Sequence, residues 1–297
     1  MSNGPSSRPT DATRATQDAL YCEALVREHD HDRYLAALFA PAEKRPALMA
    51  LYAFALELGR VRESVSDPLP GEVRLQWWRD TLEGEARGDV RANPVAAALD
   101  DAITRYRLPR QALTSMIDAR IFDLYDDPMP TVTALEGYCG ETSSLLIRLA
   151  ALILADGRDL GGADAAGHAG VAYSVTGLLR AFPWHRARGQ LYVPPEDVLA
   201  RLGTDLARVM AGRGGSELLA ALAEMRDLAR RHLAQVLEAV AQLDPVIAPA
   251  FLPVTLVEPH LAAMERRDYD PYRTVVTVPQ WRKQWALWRG ARRFARR

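Results

Sequence analysis

Apolar positions recur along this chain at the three-to-four-residue spacing of an amphipathic helix, and almost nowhere at the two-residue spacing of a strand. Leu35, Leu38 and Phe39 form one such face; Leu48, Leu51, Tyr52, Ala55 and Leu56 form the next, with Pro41 and Pro46 punctuating them. Leu145 to Leu154 is a dense apolar run between Ser143/Ser144 and Gly157. It is too long for an ordinary strand and is expected to be a buried helix. Ala169 to Ala181 predicts another. Ser216 to Leu243 predicts a long helix whose apolar face carries Leu218, Leu222, Met225, Leu228, Ala229, Leu233, Val236 and Leu237. The only strand-like pieces are Gln190 to Val193 and Thr274 to Val278, each beside a proline. No repeat at a fixed period is present, and no stretch reaches the ~20 apolar residues expected of a bilayer span. These patterns predict an all-α chain built on one large core.

Composition changes the picture at the two ends. Residues 1–15 are rich in Ser, Pro, Thr and Gly, which predicts a disordered tail. Met1 to Thr16 has no apolar centre and does not read as a secretory signal. Residues 16–279 are expected to form a single domain. The 297-residue chain has a net charge of −1, which argues against a nucleic-acid partner. That balance is uneven: Gln280 to Arg297 carries seven cations and no acid, and removing its +7 leaves −8 on residues 1–279. Trp281, Trp285 and Trp288 would share one face of a helix there, flanked by Arg282, Lys283 and Arg289. A basic amphipathic helix bearing indoles is the composition of an interfacial membrane contact; packing of the indoles onto the body is the competing reading. Two cysteines, Cys22 and Cys139, make neither a disulfide framework nor a zinc set, which fits a cytoplasmic, reducing compartment, with contact to the inner membrane peripheral.

Three blocks carry a more specific signal. The first is Tyr34-Leu35-Ala36 through Pro41-Ala42-Glu43-Lys44-Arg45 to Leu51-Tyr52-Ala53-Phe54. The second is Arg74-Leu75-Gln76-Trp77-Trp78-Arg79-Asp80, followed by Asn93-Pro94-Val95. The third runs from Gly170-Val171-Ala172 through Leu178-Leu179-Arg180 to Arg188-Gly189-Gln190-Leu191-Tyr192-Val193-Pro194. Together with Tyr138-Cys139 they resemble the squalene/phytoene synthase family, in family order from about Tyr21 to Pro194. The resemblance implies an isoprenoid synthase-like helical bundle around a central cavity. Active members join two prenyl diphosphates head to head. Departure of diphosphate needs its charge neutralised by magnesium, held by paired carboxylates on two facing helices.

This chain departs from that pattern at both motifs. After Phe54 the resemblance implies an aspartate pair and a third acid; here Gly59 and Arg60 replace the pair and only Glu63 keeps an acid. After Arg180 it implies three carboxylates; here Ala181, Trp184 and His185 stand instead, and Pro183 is expected to end the helix early. No catalytic residue, metal ligand or cofactor is therefore expected. The stretches Glu57 to Ser66, Glu141 to Leu146 and Leu179 to His185 resemble the branch of the family that acts in assembling respiratory complex I in mitochondria, with its bacterial relatives. That resemblance implies a non-catalytic assembly or scaffold role, with a complex I subunit or assembly intermediate as partner. The alternatives are a divergent prenyl diphosphate transferase using magnesium, or an isoprenoid- or lipid-binding protein.

Other candidates are weaker. Glu57, Arg60, Arg62, Arg180 and Tyr192 could line a pocket for an anion, while pairing of Arg60 with Glu57 and Glu63 at three-residue spacing is the simpler account. The acids of Asp123-Leu124-Tyr125-Asp126-Asp127, followed by Pro128, are expected to be a solvated helix end. In His29-Asp30-His31-Asp32 an aspartate is expected to cap the following helix rather than to join a metal site.

Overall fold

The computed structural model describes residues 11–294, and among these no residue is in a strand. The first half comprises α1 (Asp11–His29), α2 (His31–Ala37), α3 (Arg45–Gly59), α4 (Pro68–Glu83), α5 (Pro94–Tyr106) and α6 (Arg110–Ile121). Then come α7 (Val132–Cys139), α8 (Leu145–Leu154) and α9 (Ala163–Ala187), with a π turn over Gly140–Ser144 joining α7 to α8. The remainder is α10 (Glu196–Arg201), α11 (Leu206–Met210), α12 (Gly215–Ala239), α13 (Ala248–Phe251), α14 (Val257–Ala263) and α15 (Gln280–Phe294).

Local chemistry sets many of these boundaries. Asp30 accepts a hydrogen bond from the Arg33 N–H and caps α2, as expected. Asn93 accepts from the N–H groups of Val95 and Ala96, with Pro94 at the first helical position of α5. Pro46 opens α3, whose Leu48, Leu51, Tyr52, Phe54 and Leu58 are all buried. Tertiary packing decides the rest. α9 lies along α12, while α1, α3 and α5 pack on one another. The apolar α8 packs against both α3 and α9 and so backs the space between them. Gly170 lets α9 pass the π turn: a Cβ there would fall 2.1 Å from the Ser144 Oγ. The core runs continuously from Cys22 to Phe294.

The structure differs from the sequence expectations at several points of the fold. α1 begins at Asp11, so the tail expected over 1–15 is already helical from Asp11; residues 1–10 lie outside the described residues. The long helix expected over Ser216–Leu243 stops at Ala239 and continues as a 3-10 turn over Val240–Gln242. Gln190 to Val193 and Thr274 to Val278 are extended loop, because no neighbouring strand completes a ladder. Pro183 does not end α9, which continues to Ala187 with Phe182 fully packed in the core beneath it. Two helical stretches, Val132–Leu154 and Pro245–Ala263, are long and apolar enough to cross a membrane. The first reaches that length because the π turn fuses α7 to α8, and just over half of the most apolar window in each is buried within the protein.

Candidate functional site

The first degenerate motif lies at the C-terminal end of α3. Gly59 is its last residue, and Arg60 closes it by donating its N–H to the Leu56 and Glu57 carbonyls. Glu63, the one retained acid, sits between two guanidinium groups: Arg60 Nε at 3.8 Å and Arg188 Nη1 at 3.5 Å. Burial pushes the Glu57 carboxyl above its ordinary range, with Arg60 pulling the other way. An open cleft of about 500 Å³ lies beside this end of α3, lined by Leu56, Glu57, Arg60, Glu63, Trp77 and Arg188 among others. Of the other pocket candidates, Arg62 turns away to Asp126 (3.2 Å), Arg180 to Asp32 (3.5 Å), and Tyr192 into a separate cluster.

The second motif occupies the last turns of α9. Trp184 is exposed, with the Arg188 guanidinium 5.4 Å from its ring centre. His185 turns inward, its ring 4.7 Å from that of Tyr192. Burial lowers its pKa to about 4, so the imidazole is neutral near pH 7, and its Nδ1 has no hydrogen-bond partner.

Between the two motifs lies a polar cluster that the sequence did not announce. Its centre is Asp123, in the 3-10 turn Phe122–Leu124 that follows α6, and it is only 5% exposed. The carboxylate accepts from Arg120 Nη1 (2.9 Å), Tyr138 Oη (2.9 Å) and Tyr192 Oη (2.9 Å). Arg120 Nη1 also donates to Tyr138 Oη (2.7 Å), and Gln190 Nε2 donates to the Asp123 carbonyl (2.9 Å). Arg120 reaches the first motif: a Cβ on Gly59 would stand 3.7 Å from its Cζ. A chain of contacts thus links Gly59, Arg120, Asp123, Tyr192 and His185. Burial drives both tyrosine hydroxyls far above their usual range. Burial opposes the charge on Arg120, but Tyr138 and Asp123 outweigh it and hold the guanidinium protonated. The cluster is one internal ion pair framed by neutral donors. Asp123 is therefore not the solvated helix end expected of it; Asp126 and Asp127 are exposed.

A second bridge crosses the same space at Arg33. Its guanidinium lies 4.7 Å from the ring centre of Tyr173 on α9 and 6.0 Å from that of Tyr52 on α3, and it pairs with Asp30 at 2.5 Å.

Magnesium does not fit the groups gathered here. It wants several oxygen ligands in near-octahedral array, normally from carboxylates and phosphates. The motif positions offer Gly59, Arg60, Ala181, Trp184 and His185, and Glu63 is engaged by two arginines. The buried carboxylates are engaged too: Asp123 by a guanidinium and two hydroxyls, and Asp32 by Lys283 and Arg180, while the Arg120 cation lies against the first motif.

The C-terminal helix corrects one membrane-contact expectation. Trp281, Trp285 and Trp288 are exposed by 64%, 53% and 40%, so they do not pack into the core. The opposite face does, through Leu287, Gly290 and Phe294. Lys283, however, turns inward and donates to Asp32 at 2.6 Å, so it is neither a surface contact nor free of acids. Asp32 is buried, which alone would raise its pKa, but the hydrogen bond and charge of Lys283, with Arg180, outweigh burial and lower it. His260 beside them is pushed down to about 4 by burial and by Arg180.

A family profile described as squalene/phytoene synthase matches residues 26–289. The chain belongs to the squalene/phytoene synthase family. Within it, the chain is 33% identical over 254 residues to the human protein named NADH dehydrogenase (ubiquinone) complex I, assembly factor 6, covering 84% of this chain and 74% of that one. It is 27% identical over 303 residues to phytoene synthase of Arthrospira platensis, covering 97% and 96%. Among solved structures, squalene synthase HpnC from Alicyclobacillus acidocaldarius superposes with a TM-score of 0.71 at 23% identity, over 86% of this chain and 96% of that one. The isoprenoid synthase-like helical bundle is thus shared with enzymes, and the named relatives of higher identity are assembly factors.

Proposed function

We propose that this protein is a non-catalytic member of its family that serves the assembly of respiratory complex I on the cytoplasmic face of an inner membrane. The observation that carries the reading is Arg120, whose guanidinium stands against Gly59, where the family pattern implies a metal-binding carboxylate. A fixed cation there, with its own counter-ion in Asp123, offers a metal ion no ligand and repels it. The likeness to complex I assembly factor 6 supplies the direction of the role, with a complex I subunit or assembly intermediate as partner. The exposed indoles and arginines of α15 support contact with an anionic membrane surface.

The test is deletion of the gene in its host. NADH:quinone oxidoreductase activity falls, while squalene, hopanoid and carotenoid levels hold. Purified protein given magnesium with farnesyl or geranylgeranyl diphosphate forms no squalene or phytoene. Normal oxidoreductase activity with missing isoprenoid would instead favour the prenyl transferase reading, which the likeness to phytoene synthase keeps in view.

A further inference from the structure

With its three indoles, α15 forms one wall of an open groove of about 1090 Å³. Leu233 and Leu237 of α12 and Val254 and Pro259 from the segment around α14 contribute apolar groups to it. α15 contributes Ala286 and Phe294 together with Arg282, Arg289, Arg292 and Arg293. The groove is a fixed feature of the fold. Gly290 brings the α15 backbone so close to Thr255 that a Cβ would stand 2.4 Å from its Cγ2, and Lys283 ties the helix to Asp32.

Charge sets its preference. The only acid lining the groove is Glu258, and it is already held by Arg230 through two hydrogen bonds of 3.0 and 3.1 Å. Among the described residues, none of the four arginines lies within ion-pair distance of a carboxylate. Two of them instead lie over indoles: Arg282 5.2 Å from the ring centre of Trp281, and Arg292 4.3 Å from that of Trp288. Trp285 and Trp288 stack at 5.0 Å, and with Trp281 they line the same groove.

We propose that this groove holds one anionic phospholipid drawn from the leaflet on which α15 lies, its acyl chain against Leu237 and Ala286 and its phosphate among the arginines. The proposal rests on the membrane-surface reading above and deepens it to a site. Ligand pockets are commonly apolar concavities of about 300–1,000 Å³ with a few placed polar groups, and this groove has that size and make-up. Cations beside an anionic leaflet contribute about 1 kcal/mol each, and indoles favour the headgroup level. The four guanidinium groups without acidic partners favour an anionic headgroup, and the indoles lining the same groove favour the headgroup level of a leaflet.

The experiment uses the full chain and two probes: vesicles with or without phosphatidylglycerol, and short-chain dihexanoyl phosphatidylglycerol below its micelle-forming concentration. Wild-type protein sediments with the anionic vesicles and takes up one short-chain lipid, read by native mass spectrometry and a blue shift of indole fluorescence. Ala286→Phe fills the groove while every arginine and indole is kept, and Leu237→Glu places an anion on the α12 wall; both sites are only partly buried. Each weakens short-chain binding by about tenfold or more while vesicle sedimentation persists. Unchanged short-chain binding in both variants overturns the site, as does equal binding of dihexanoyl phosphatidylcholine. Vesicle sedimentation with no one-to-one complex defeats the groove alone. Absence of sedimentation at low salt defeats the membrane reading itself. An acidic amphipathic peptide that binds in an Ala286-sensitive way where neither lipid binds assigns the groove to a protein, and the proposal fails.

Discussion

Arg120 and Asp123 are three residues apart, yet their pairing is a tertiary event. Asp123 is buried because Tyr138 and Tyr192, 15 and 69 residues further on, bring their hydroxyls to it. A string of acids before a proline carries no trace of those partners, which is why the segment read as a solvated helix end. Tyr138, Gln190 and Tyr192 lie in blocks that carry the family resemblance, but neither those blocks nor any local pattern at Arg120 pointed to Asp123 as their shared partner. The dependence can be measured. Asp123→Ala leaves the largely buried Arg120 without its counter-ion and two hydroxyls without their acceptor, and breaking such a pair costs about 3 kcal/mol. Urea unfolding followed by circular dichroism should show that loss in the midpoint with an unchanged slope. A loss under about 1 kcal/mol would mean that water replaces the carboxylate and that the cluster is not closed.

At the scale of elements, the helix ends where the family pattern implies the two motifs carry no pair of facing carboxylates. α3 ends on Gly59 and Arg60, and α9 runs through Pro183 to turn His185 inward and Trp184 outward. A proline inside a helix removes one backbone hydrogen bond, which is why the sequence suggested an early stop, but packing of Phe182 carries the helix past it. Helix type and order followed from periodicity because long apolar faces repeat without ambiguity. The inward turn of Lys283 did not, since Asp32 lies 251 residues away. Restoring carboxylates tests whether the elements or only the residues were lost. The variant Gly59→Asp, Arg60→Asp, Ala181→Asp, His185→Asp is expected to gain no magnesium-dependent squalene or phytoene formation. The new carboxylate at position 59 would meet the Arg120 guanidinium about a side-chain length away and pair with it instead of a metal. Calorimetric magnesium binding by the variant, or any product by mass spectrometry, would show that the scaffold still holds the site open.

For the whole molecule, the consequence of burying neutral histidines in this bundle is a directional response to acid. His185 and His260 have folded pKa values of about 4, set mainly by burial and well below the ordinary value of 6.5. Between these two values the unfolded chain takes up protons that the folded chain refuses, so stability falls as pH drops from about 6.5 to about 4. Asp32 acts in the same sense further down: its folded pKa lies below the ordinary 3.8, so its contribution is present above that value and is lost as pH falls through the lowered one. Glu57, raised by burial, opposes them weakly near its ordinary 4.5. The net expectation is a urea midpoint that declines steadily from pH 7 to pH 4.5, and a shallower decline in His185→Gln, which has no proton to refuse. His260 lies beside Asp32 and Lys283, so the same acidification loosens the seat of α15. Vesicle-induced changes in indole fluorescence should then become easier to elicit at pH 5 than at pH 7. A flat midpoint across this range would mean that both imidazoles already reach solvent in the folded state, and an identical slope in His185→Gln would exonerate that residue alone.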